Sequence, residues 1–130
     1  MKDCLFCKIA NGEIPSYTLY EDDLVKVFLD INPVSQGHCL IIPKKHYENM
    51  LDVDKEIVSH SLDVARKVYK ILNDELNMDG LTITQNNMYG QEVKHYHIHL
   101  IPRYEKDNLL YKRAKNKIDV EKLYEKLKGN

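Results

Sequence analysis

A chain of 130 residues can bury roughly two-thirds of its unfolded surface in one core, and a formal net charge of -1 leaves no basic field for nucleic acid. No apolar run approaches the ~20 residues of a membrane span, and Met1-Lys2-Asp3 opens no secretion signal. Three cysteines cannot close a disulfide framework, so the expectation is one domain over residues 1–130 in a reducing cytoplasm, with no membrane or nucleic-acid partner.

The turn cluster Asn11-Gly12-Glu13-Ile14-Pro15 separates a short N-terminal element from the first strand. Tyr17 to Tyr20 and Leu24 to Leu29 read as a hairpin across Glu21-Asp22-Asp23, whose turn type stays open because it lacks glycine. The loop Asn32 to Gly37 leads into an apolar strand, His38 to Ile42, closed by Pro43. From Asp54 to Asn77 apolar residues recur at helical spacing (Ile57, Val58, Leu62, Ala65, Val68, Tyr69, Leu72, Leu76), with Asp54 as N-cap and Asn77 and Gly80 marking the exit. Leu81 to Gln85 is the next strand, a glycine-bearing loop follows, and an apolar strand studded with histidines ends at Pro102. In the tail, Asp119 to Lys128 puts Val120, Leu123, Tyr124 and Leu127 on one helical face. These elements predict an α+β domain: an antiparallel sheet of about five strands, one long helix and a C-terminal helix.

His95-Tyr96-His97-Ile98-His99-Leu100-Ile101 carries half of the six histidines. In an extended strand alternate side chains share a face, so His95, His97 and His99 line one side while Tyr96, Ile98 and Leu100 enter a core. Stability asks for no such row. It fits either a metal site or nucleophilic catalysis by imidazole, and the spacing does not choose between them. Near the N-terminus, Cys4 and Cys7 have the spacing of a zinc knuckle; redox chemistry fits them less well, because no helix of a βαβ unit follows.

Four separated motifs together resemble the histidine triad (HIT) family: Cys4-Leu5-Phe6-Cys7-Lys8-Ile9, Phe28-Leu29-Asp30-Ile31-Asn32-Pro33, Gly37-His38-Cys39-Leu40-Ile41-Ile42-Pro43-Lys44-Lys45-His46, and Gly90 to Arg103 with its His-φ-His-φ-His core. The resemblance runs from about Cys4 to Arg103 and leaves 104–130 as an extension with a helix. It implies a nucleotide-binding hydrolase acting at the α-phosphate of purine nucleotide conjugates, such as nucleoside phosphoramidates or dinucleoside polyphosphates, through a nucleotidyl-histidine. By similarity His97 is the nucleophile, His99 binds a phosphate oxygen and His38 completes the cluster. Asp30 would accept the ribose hydroxyls, although an aspartate before Asn32-Pro33 is also ordinary turn chemistry. Leu5, Phe6, Phe28 and Ile31 would wall the base, and Asn86 (or Asn87), Gly90, Gln91 and Glu92 would form the phosphate loop. Glu92 departs from the pattern, since many relatives carry a serine there; only its backbone N–H transfers.

The resemblance also implies a homodimer and one structural zinc per chain, with His46 and His95 completing Cys4 and Cys7. Two other functions stay open. One is a nucleotide-binding regulator with little turnover. The other is a three-histidine zinc hydrolase, which expects a further ligand that Leu100-Ile101-Pro102 does not offer.

Overall fold

A computed structural model describes residues 3–129 as helix α1 (Leu5–Ala10), strands β1 (Thr18–Glu21), β2 (Val25–Leu29) and β3 (Cys39–Pro43), helix α2 (Lys55–Leu76), strands β4 (Gly80–Thr84) and β5 (Ile98–Arg103), and helix α3 (Val120–Leu127). The strands make one antiparallel sheet in the order β1-β2-β3-β5-β4, the α+β arrangement that the sequence predicts. Because β5 is inserted between β3 and β4, α2 connects two strands that run the same way without touching.

The two faces of the sheet bury different sets of side chains. Val25, Val27, Cys39, Ile41, Ile98 and Leu100 pack against Ile57, Val64, Ala65, Val68 and Leu72 of α2. On the opposite face Phe28, Leu40 and Ile42 pack under Phe6, Ile9 and Ala10 of α1. The register carries this second face across the sheet, since Phe28 pairs with Leu40, Leu40 with His99, and His99 with Thr84. Lys26, also buried there, donates from Nζ to the Ile9 carbonyl at 2.9 Å and holds the end of α1 against β2.

Local chemistry explains most boundaries. The β1–β2 turn needs no glycine because Asp22 Oδ1 accepts from the N–H groups of Leu24 (2.8 Å) and Val25 (2.9 Å). Asp54 caps α2 in extended backbone geometry, but its carboxylate accepts from the Tyr47 hydroxyl instead of the helix. Asn77 ends α2 in the left-handed region at φ 52°, its N–H on the Asn73 carbonyl. Gly80, expected as part of that exit, opens β4 instead.

Two sequence expectations are corrected. Pro102 does not end the histidine strand; it lies within β5, opposite Leu81. Its missing N–H is tolerated because the pairing of β3 with β5 stops at Cys39–Leu100, and the Pro102 carbonyl accepts from Ser35 in the loop ahead of β3. Nor is the whole triad in a strand: β5 begins at Ile98, so His95 and His97 sit in irregular backbone before it. The cause is that their neighbours bond elsewhere, Tyr96 N–H to the Tyr47 carbonyl (2.7 Å) and His95 N–H to the Val93 carbonyl (2.8 Å). The expected alternation still holds, with Tyr96, Ile98 and Leu100 in the α2 core. After β5, Arg103 anchors the extension through Asp107, the Leu109 carbonyl and Thr82. No residue of α3 is buried, and no described helix is long and apolar enough to cross a membrane.

Candidate active site

The strand ends on the α1 side of the sheet bring the predicted residues together. Asp30 follows β2, His38 precedes β3, His99 is in β5, and Asn86 follows β4. They line a cavity of about 520 Å³, together with Phe6, Phe28, Ile31, Gly90, Glu92 and His97.

Each triad imidazole has one nitrogen committed to a different partner. His97 is 5% exposed, and its Nδ1 lies 2.7 Å from the His95 carbonyl. A carbonyl only accepts, so Nδ1 carries the proton and Nε2 keeps its lone pair. Burial lowers the pKa of His97 and favours the neutral ring. Phe6 sets its ring edge-on against His97, centroids 4.9 Å apart.

His99 is set by a chain of three donors. The Val34 N–H donates to His38 Nδ1 at 3.1 Å, so His38 is protonated on Nε2. That N–H donates to His99 Nδ1 at 2.9 Å, which puts the His99 proton on Nε2 as a free donor. Burial depresses both groups, His99 to about 4, so the chain is uncharged at neutral pH. Asp30 Oδ2 sits 3.6 Å from His38 Nε2, while Oδ1 accepts from the Asn32 N–H at 2.8 Å. Asp30 is thus both the turn residue and a carboxylate facing the cavity.

His95 points away from this cluster. It is fully buried, and its Nε2 donates to the Pro43 carbonyl at 2.9 Å, leaving Nδ1 unprotonated. That nitrogen lies 3.3 Å from Cys4 Sγ, 3.4 Å from Cys7 Sγ and 3.2 Å from His46 Nδ1, while Cys7 Sγ is 3.3 Å from His46 Nδ1. A tetrahedral zinc with Zn–S ≈ 2.3 Å and Zn–N ≈ 2.0 Å has ligand–ligand edges of about 3.3–3.8 Å. The four donors fit that shell, and the Pro43 carbonyl supplies the outer partner that orients a metal-binding imidazole. Burial pushes the Cys7 thiol up to about 11 and His95 down to about 4.

Asp30, His38 and His99 form a second cluster of metal-type side chains. There His38 Nε2 is a proton donor rather than a ligand, because its Nδ1 is taken by Val34. The three triad imidazoles diverge to three partners, which disfavours the three-histidine zinc hydrolase.

Residues 11–106 match the family model for the HIT domain. The chain belongs to the HIT family. A HIT-like protein of Methanocaldococcus jannaschii is 43% identical over 129 residues, which cover 97% of this chain and 99% of that protein. The adenosine 5′-monophosphoramidase of Saccharomyces cerevisiae is 39% identical over 123 residues, covering 92% and 75%. The crystal structure of a zinc-bound histidine triad family protein from Mycobacterium smegmatis superposes with a TM-score of 0.79 at 33% identity, over 88% and 85% of the two chains.

Within this HIT domain the loop residues separate by role. Asn86 lines the cavity, whereas the Asn87 amide is engaged by Met50 N–H and the Gln85 side chain. Gly90, at φ 86°, turns the loop back over the cavity. Gln91 does not reach the cavity: its buried amide braces the loop, donating to the Glu48 carbonyl and accepting from the Met88 N–H. Sequence reasoning missed Ile14, Ser16, Tyr17 and Val93 in the cavity wall. Ile14 falls in the turn cluster, Ser16 just after it and Tyr17 at the expected start of the first strand, so no local signal marks them.

Proposed function

We propose that this HIT chain, a single domain with a C-terminal extension, is a hydrolase of purine nucleotide conjugates that forms a nucleotidyl-His97 intermediate. The observation that carries this reading is the His97 Nδ1–H bond to the His95 carbonyl, which presents an unprotonated Nε2 in a cavity beside a second imidazole that can only donate.

The residues divide the work as follows. Phe6, Phe28 and Ile31 wall the base, Asp30 accepts from the ribose hydroxyls, and the α-phosphate lies over His97. His99 Nε2–H and the backbone N–H of Glu92 hold its oxygens, with Asn86 beside them. His97 Nε2 forms the N–P bond in line as the bond to the leaving group breaks; the departing atom keeps that electron pair and takes a proton from water. Water then attacks phosphorus, the N–P pair returns to Nε2, the spare proton passes to solvent, and the nucleoside monophosphate leaves.

Cys4, Cys7, His46 and His95 hold one structural zinc, which takes no part in these steps and fastens α1 over the cavity. Strand β4 is an edge with Ile83 half exposed, and α2 exposes Leu62 and Tyr69, which supports a homodimer; sedimentation as a monomer at micromolar concentration argues against it.

The test of the reaction is an acid quench with an α-³²P-labelled adenosine phosphoramidate. The expected result is label on the wild-type protein, mapped to His97, and none on His97→Ala, which still binds nucleotide. Turnover by His97→Ala at near wild-type rate refutes the covalent route, and binding without any adduct favours the regulator.

A further inference from the structure

The charges that line the cavity are one-sided. Among the described residues it presents two carboxylates, Asp30 and Glu92, and three histidines, with no lysine or arginine. The permanently charged side chains of the wall are therefore both negative. Such a wall suits a substrate with one negative phosphate. It opposes a chain of further phosphates, which in a protein site calls for lysine, arginine or a metal ion.

The two carboxylates come from different segments around the reacting centre. Asp30 follows β2, whereas Glu92 lies in the β4–β5 connection ahead of His97, and both line the cavity. With the ribose on Asp30 and the α-phosphate over His97 and His99, Glu92 is the remaining charged side chain there for the leaving group. The Glu92 side chain is exposed and has no hydrogen bond or ion pair with another described residue, although its charge acts on the His97 ring. A carboxylate held there without a structural partner is available to the departing group.

We propose that Glu92 selects the leaving group: it favours amines that carry a second, positive charge and disfavours polyphosphate chains. This assignment rests on the nucleotidyl-His97 reading and narrows its substrates to nucleoside phosphoramidates of cationic amines. Two unit charges about 6 Å apart at an effective dielectric of about 40, between surface and bulk water, change a rate by about tenfold.

The experiment compares kcat/KM for four adenosine conjugates: N-(3-aminopropyl), N-propyl and N-(2-carboxyethyl) phosphoramidates, and diadenosine tetraphosphate. Wild type is expected to rank aminopropyl above propyl above carboxyethyl, by about tenfold at each step, with the tetraphosphate lowest and the spread shrinking in high salt. Glu92→Gln should compress the three amides to within about threefold and raise the tetraphosphate by about tenfold, while Glu92→Asp keeps the wild-type order. If Glu92→Gln turns over the amides with the wild-type ratio, or wild type prefers the tetraphosphate, the role of Glu92 is wrong while the His97 chemistry stands. If wild type forms no His97 adduct with any conjugate, the reaction itself is misassigned and this inference falls with it.

Discussion

Removing the proposed zinc from Cys4, Cys7, His46 and His95 should release α1 while leaving the sheet folded. The helix has six residues, far below the length that persists alone in water. Its tertiary hold comes from Phe6, Ile9 and Ala10, each nearly buried. Burying a phenylalanine, an isoleucine and an alanine contributes about 5–6 kcal/mol, and the Lys26 bond to the Ile9 carbonyl adds about 1 kcal/mol. Ordering six residues costs about 6–12 kcal/mol. The two sides nearly cancel, so the proposed zinc is expected to decide whether α1 docks.

A chelated protein, or the double variant Cys4→Ser, Cys7→Ser, is therefore expected to lose amide-exchange protection over residues 4–14 and to become cleavable there. Elemental analysis of the untreated protein should find about one zinc per chain. With Phe6 gone from the cavity, KM for a nucleotide conjugate should rise by about tenfold or more, as expected for one lost aromatic wall. The His97 adduct should still form at saturating substrate. Unchanged exchange protection and an unchanged Tm after complete metal removal would refute this reasoning.

His38→Ala should free the His99 tautomer, lowering kcat by about ten- to a hundredfold with a smaller effect on KM; an unchanged kcat argues against the donor chain. Asp30→Asn should narrow the preference for ribose over 2′,3′-dideoxyribose conjugates, and equal losses on both would remove its ribose role. For pH, burial holds His99 near 4 in the folded chain, whereas an unfolded histidine titrates near 6.5. Between those values the unfolded chain binds the extra proton, so the stability from neutral His99 is full above about 6.5 and falls as pH drops toward 4. A denaturation midpoint equal at pH 7 and pH 5, or an acid slope unchanged in His99→Gln, would contradict this.

Much of the fold was legible because its periodicities are strong. The spacing of Ile57, Ala65, Val68 and Leu72 marks α2, and the alternation of Tyr96, Ile98 and Leu100 marks one face of the sheet. The site was legible where one motif carries one role, as in the pairing of Cys4 with Cys7 or the order of the histidines. It was illegible where a side chain answers to a distant partner. Gln91 reads as a phosphate-loop residue, yet its amide is claimed by the Glu48 carbonyl 43 positions away. Asn86 and Asn87 are indistinguishable by type, and the Met50 N–H and the Gln85 side chain decide which of them turns from the cavity. The α3 stripe of Val120, Leu123, Tyr124 and Leu127 reads as a packing face, but all four are exposed in the single chain. Amphipathicity shows that a face wants cover without saying what supplies it.

Three identical side chains at a spacing of two take three roles because an imidazole has two nitrogens, and the partner of one fixes the state of the other. In the proposed reading, the Pro43 carbonyl orients His95 as a ligand, the His95 carbonyl orients His97 as the nucleophile, and the Val34 N–H, acting through His38, leaves His99 a donor. None of the three partners is a charged side chain, so salt does not compete for them. His95 joins the two halves of the site, since its ring completes the metal shell while its carbonyl holds His97. If zinc alone kept His95 in place, the nucleophile would fail with the metal. The Pro43 bond does not depend on the ion. Metal loss is therefore expected to affect binding through Phe6 before it affects chemistry through His97. That order of failure separates a structural zinc from a catalytic one, because removing a catalytic ion would abolish the adduct first.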